Sequence, residues 1–147
     1  MKKLALILTA SAFALAADIE VEGAWLKTTA PNAKNTAIFM KIKNNSSADI
    51  SLISAKEQSL GAATEIHDHI HEGGKMKMVE VPEIKIPANS TVELKPKSLH
   101  IMLMGIPAQI TKDTHANLAL GFSDGSSIRL DIAAKDYVPE PDFSPEQ

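Results

Sequence analysis

Two stretches concentrate the side chains able to hold a soft metal ion: EIHDHIHEGGKMKM at residues 65–78 and HIMLM at residues 100–104. Four of the five histidines, and four of the five methionines that follow Met1, fall within them. In a strand, residues two apart share a face, so His100, Met102 and Met104 form one row while Ile101 and Leu103 point the other way. A hairpin turning at Glu72 to Lys75 brings His67 near Met78 at its open end, and two imidazoles and two thioethers can then converge. Thioethers are soft, neutral ligands suited poorly to Zn²⁺, Mg²⁺ or Ca²⁺, whereas soft sulfur selects Cu(I). A monovalent ion needs no charged ligand.

The sequence contains no cysteine. A blue-copper electron carrier, which needs a thiolate beside two imidazoles, is therefore excluded. A thioether neither titrates nor is consumed in a disulfide, which suits an oxidising compartment. No Ser/His/Asp order, phosphate-cradling glycine loop or HExxH helix can be placed, so the residues argue for a binding protein and against an enzyme.

The elements that must position these side chains follow a leader. Lys2 and Lys3 precede an apolar run from Leu4, and Ala14-Leu15-Ala16 supplies small residues at a cleavage position, so residues 1–16 are expected to be a secretory signal peptide. The apolar run is too short for a membrane helix, which needs about 20 residues. Export to the periplasm, no stable membrane insertion and no cysteine-borne lipid anchor are the expectations. The remaining chain carries 13 basic and 18 acidic residues once Lys2 and Lys3 are removed, with no basic face. Nucleic acid is an unsuitable partner.

Past the leader the pattern is one of short alternating segments bounded by turn residues. Candidate strands are Ile19 to Trp25, Ala37 to Lys43, Ile50 to Lys56, Thr64 to His71, Met76 to Val81, Glu83 to Ile86, Thr91 to Leu94, Leu99 to Ile106, Ala116 to Ser123 and Ser127 to Ala133. Counted as eight or nine strands, they predict a single all-β domain over residues 17–137, a Greek-key sandwich or small barrel. Residues 138–147, rich in proline, are expected to be a loose tail. Trp25 and Phe39 are candidate core residues, Met40 is core filler between Ile38 and Ile42, and His115 is a solvated loop residue.

The spacing resembles that of the periplasmic copper chaperones of the PCu(A)C type: His, ten residues, Met, twenty-one residues, His, one residue, Met. His67, Met78, His100 and Met102 occupy those four positions. The resemblance extends through MKM at 76–78, ELKP at 93–96, HIMLMGI at 100–106 and GAWLKTTAPNAKNTAIFMKIKN at 23–44. It implies a cupredoxin-like β fold, Cu(I) bound near the surface by those four residues, and delivery of copper for cytochrome oxidase assembly. The acceptor would be an oxidase subunit or another assembly factor, reached by a monomeric carrier.

Three departures stand out. Asp68 replaces a methionine common after the first histidine, and Lys97-Ser98 replaces a glycine pair common after ELKP, which implies a differently shaped loop before His100. The tail lacks the His and Met that would build a further site. In exchange the chain adds His69 and His71, which alternation places on the face of His67; they are expected to form an auxiliary site, able to take Cu(II). Met76 is an alternative ligand or rim residue, and Met104 is assigned to packing. Three other readings stay open: a periplasmic Cu(II) or Zn buffer; a cupin-like or copper redox enzyme, which would need an open coordination position and a substrate pocket; and a metal-free β-sandwich interaction module, in which substituting His100 and Met102 would alter stability alone.

Overall fold

The structure, a computed structural model, describes residues 14–16 and 18–138. Residues 1–13 of the expected leader, residue 17 and residues 139–147 of the expected tail lie outside the described residues. Eleven strands and no helix are found among the described residues: β1 (Ala14–Ala16), β2 (Ile19–Lys27), β3 (Asn35–Asn44), β4 (Ile50–Glu57), β5 (Ala63–Glu72), β6 (Lys75–Glu80), β7 (Ile84–Ile86), β8 (Thr91–Leu94), β9 (His100–Met104), β10 (His115–Phe122) and β11 (Ser127–Lys135). All ten candidate segments contain a strand, including the short β7 and β8, and β1, paired with β2, is the eleventh, so the count exceeds the expected eight or nine. His115 is the first residue of β10, not a loop residue, and its Nδ1 lies 2.9 Å from Asp131 Oδ1.

The strands run in the order β6-β5-β9-β3-β2-β11-β10-β4-β7, with β8 beside β3. All neighbours are antiparallel except β11 and β2, which run parallel through Ala134 opposite Leu26 and Lys135 opposite Lys27. That short parallel contact joins one layer, β6-β5-β9-β3-β2, to the other, β11-β10-β4-β7. One apolar cluster lies between them, containing Ile38, Met40 and Ile42 from β3, Ile101 and Leu103 from β9, and Leu118, Leu120 and Ile132 from the second layer. A single-domain, all-β core is the architecture that the alternation predicts.

Phe39 is buried as expected and Trp25 half-buried, but neither belongs to the apolar cluster between the layers. Phe39 alternates with Ile38 and Met40 and therefore stands on the outer face, and Trp25 opposes it in the β2–β3 register. Their rings lie 4.8 Å apart between centroids and cover one another outside the apolar interior. A β-bulge between Glu22 and Trp25, with Gly23 at φ +68°, inserts the extra residue that keeps Val21 and Leu26 inward on either side of it. Tyr137 adds a third ring, 6.1 Å from Trp25.

The hairpin of β5 and β6 leaves this frame progressively. Along the inner face of β5, Ile66 is buried, Asp68 half-buried and Ile70 exposed, and β6 has no buried residue. Gly73 and Gly74, at φ +60° and +78°, close the hairpin with two left-handed residues between the paired Glu72 and Lys75, a turn that matches strand twist.

Candidate metal centre

Register decides which of the candidate side chains meet. In the β5–β9 pair Glu65 opposes Met102 and His67 opposes His100; in the β5–β6 pair His67 opposes Glu80, His69 opposes Met78 and His71 opposes Met76. Opposed residues share a face. The outer face of the layer therefore carries Glu65, His67, His69, Met78, His100 and Met102 together. Ile101 and Leu103 are fully buried behind them, so β9 alternates as its sequence implies.

The hairpin register refines where His67 stands relative to Met78. The turn pairs Glu72 with Lys75, and counting back along both strands brings Met78 opposite His69; His67 stands two residues further, diagonal to Met78. The ring centroids of His67 and His100 are 5.7 Å apart, and those of His69 and His100 are 5.3 Å apart. Two imidazoles sharing one ion, with metal–nitrogen bonds of about 2.0 Å, hold their ring centres on the order of 5–6 Å apart. Both separations suit a common ion.

A cavity of 470 Å³ opens on this face, and His69, Met78, His100 and Met102 line it together with Phe39, Lys97 and Tyr137. His67 stands outside that lining. Met78 is 42% exposed, so at least one thioether is within reach of solvent or a docking partner. His71 and Met76 sit toward the hairpin tip and are exposed. The His69 ring stands beside that of His100, and His71 lies one pair further toward the hairpin tip. Among the described residues no three His, Asp or Glu side chains converge as a metal site.

The nitrogens are prepared for a cation. Glu65 Oε1 lies 2.7 Å from His67 Nε2, which fixes the proton on that nitrogen and leaves Nδ1 with a free lone pair. That Nδ1 is buried and has no hydrogen-bond partner, the state expected of a ligand atom facing a metal position. His100 Nδ1 lies 2.8 Å from the Ser98 carbonyl oxygen, and a carbonyl only accepts; the proton is therefore on Nδ1 and Nε2 carries the lone pair. Burial holds the His100 ring below the usual histidine range, the Ser98 carbonyl pulls the other way, and the neighbouring His69 and His67 rings lower it further. The net effect favours the neutral ring, the form in which an imidazole can bind a metal.

With this geometry in view, comparison with known proteins is informative. The LpqE-like family profile matches residues 19–134. The chain belongs to the LpqE-like family, of PCuAC type. Protein Lxx21020 of Leifsonia xyli subsp. xyli (strain CTCB07), which bears a lipoprotein name, is 32% identical over 120 residues, covering 81% of this chain and 70% of the relative. The apo PCuAC domain from PmoF1 superposes with a TM-score of 0.72 at 20% identity, covering 85% of this chain and 99% of the domain, a likeness of fold. The solution structure of CuI-DR1885 from Deinococcus radiodurans matches at TM-score 0.64 and 28% identity, over 79% of this chain and 77% of that one. The cupredoxin-like expectation for the fold holds.

Three residues of this LpqE-like protein escape a reading of the sequence by ligand type. Glu65 orients His67 from two residues before it on the same strand face, a spacing that could have flagged it. Ser98 acts through its backbone oxygen, for which the residue type gives no signal. Lys97, beside it, has φ +69°, the left-handed conformation a glycine adopts without cost, so the loop keeps that backbone form with a lysine in it. Asp68, where a methionine was the family expectation, lies on the opposite face of β5 from His67, its Oδ1 accepting from the His69 backbone N–H at 2.7 Å.

Proposed function

We propose that this protein is a periplasmic copper chaperone that binds one Cu(I) through His67, Met78, His100 and Met102 and passes it on by ligand exchange for cytochrome oxidase assembly. The observation that carries the reading is the gathering of these four residues on one sheet face, with Met78, His100 and Met102 lining the same open cavity. The family membership and the likeness to a protein whose name states bound Cu(I) support it.

Chemically, the set offers two neutral nitrogens and two thioethers. Such a site favours Cu(I) over harder divalent ions and needs no counter-charge. Glu65 and Ser98 fix which nitrogen of His67 and His100 faces the ion, so little reorganisation accompanies loading. The exposed Met78 is the ligand an incoming sulfur or imidazole of the acceptor displaces first. The protein acts as a carrier and catalyses no reaction. The leader at residues 1–16 supports export to the periplasm. A Cu(II) site of His69 with His71 draws no support from the exposed, tip-side position of His71.

Anaerobic titration of the mature protein with Cu(I) against a competing chelator tests this. One-to-one binding is expected, and His100→Ala/Met102→Ala should lower affinity about a hundredfold or more, since outer-shell partners alone are worth ten- to a hundredfold. Equal binding by wild type and variant would disprove the assignment.

A further inference from the structure

The second imidazole on the cavity side is the unassigned one. His69 is outside the four-residue spacing, yet it opposes Met78 in register, its ring is nearer His100 than that of His67, and it lines the cavity from which His67 is absent. Its Nδ1 lies 3.2 Å from the Ser98 carbonyl oxygen, the acceptor that also holds His100. With Nδ1–H spent on that oxygen, the lone pair of His69 is on Nε2, the same arrangement as in His100. His67 differs in presenting Nδ1, with Nε2 held by Glu65.

We propose that His69 is a copper ligand, forming with Met78, His100 and Met102 a cavity-side set that overlaps the deeper set containing His67. The inference rests on the copper reading above and deepens it. His100, Met102 and Met78 are common to both sets, and the ion exchanges one imidazole for the other without leaving its sulfur ligands. Loading and release run through His69, at the cavity; His67, with a side chain only 12% exposed, retains the ion. No redox step is involved: a nitrogen–copper bond forms as another breaks, and the charge of the site is unchanged.

A double-mutant cycle decides the matter. Cu(I) affinity is measured by chelator competition for wild type, His67→Ala, His69→Ala and the double variant, with His71→Ala as control and thermal unfolding to verify the fold. Because each imidazole can stand in for the other, each single variant is expected to lose less than about tenfold, and the double variant to lose more than about tenfold beyond their product. The His69 Nε2 resonance in ¹⁵N spectra of the wild type is expected to shift on addition of one equivalent of Cu(I). His67→Ala abolishing one-to-one binding by itself, a double variant no worse than the product, or an unmoved His69 nitrogen would each overturn the proposal while leaving the copper reading standing. Wild-type protein that fails to bind Cu(I) at all would remove both.

Discussion

His69 and His100 lean on a single oxygen: the Nδ1 atoms of both rings lie within hydrogen-bond distance of the Ser98 carbonyl, at 3.2 and 2.8 Å. A carbonyl oxygen has two lone pairs and can accept from both rings. The neutral form of each histidine is therefore expected to be the Nδ1–H tautomer in the metal-free protein. Long-range ¹H–¹⁵N spectra distinguish the tautomers; Nε2–H in both rings would show that the shared acceptor does not orient them.

Glu65 should matter to copper without touching it. Glu65→Gln keeps the size and weakens the charge-assisted contact that holds His67 with Nδ1 outward. The expected result is a loss of Cu(I) affinity of about tenfold, the lower end for an outer-shell partner. Chelator competition measures it. Unfolding temperature should hardly move, because Glu65 is a partly exposed side chain outside the apolar core.

The two faces of β9 predict opposite phenotypes one residue apart. Leu103→Ala removes a fully buried side chain and should cost about 2–5 kcal/mol of stability. Met102→Leu conserves volume on the outer face, so its stability cost should stay below about 1.5 kcal/mol while Cu(I) affinity falls. Denaturant unfolding and metal titration of the two variants separate the effects. A Met102→Leu variant that binds normally would show that this sulfur is packing.

Asp136 supplies a pH dependence that involves no histidine. Thr28 Oγ1 donates to its Oδ1 at 2.6 Å and Lys112 Nζ lies 3.4 Å from Oδ2, and these contacts hold the carboxyl below the usual range. The folded value being depressed, the contribution to stability is present above the ordinary carboxylate value of about 3.9 and is lost as pH falls through the lower folded value. Thr28→Val is expected to move the Asp136 midpoint upward in a ¹³C carboxyl titration. An unchanged midpoint would mean the hydroxyl is irrelevant. The carboxylate is exposed to solvent, so the effect on global unfolding is small.

How far the sequence discloses this molecule varies with the physics involved. β9 is legible because a half-buried strand enforces a period of two: Ile101 and Leu103 inward leave His100 and Met102 outward with no alternative. The residue directly opposite Met78 is not legible from type alone, since every candidate histidine on β5 shares a face and only the exact pairing of Glu72 with Lys75 selects His69. Trp25 and Phe39 read as core because aromatic size signals burial. It does not signal which side of a sheet provides that burial, and here they cover each other on the outside, beside the His100 ring at 6.2 Å from Phe39. Ser98 was invisible because its contribution is a backbone oxygen.

The overhanging hairpin has an energetic consequence. β6 forms the open edge of its layer and puts no side chain into the interior, so fraying it sacrifices backbone pairing and little else. Opening of that arm is a local event of low cost compared with unfolding the domain. Met78 leaves with it, while His100 and Met102 stay on a strand backed by buried Ile101 and Leu103. For the copper site proposed above, the grip would thus have a fixed jaw and a hinged one, and substitutions at the arm would retune the dwell time of the ion while leaving the thermodynamics of the domain untouched.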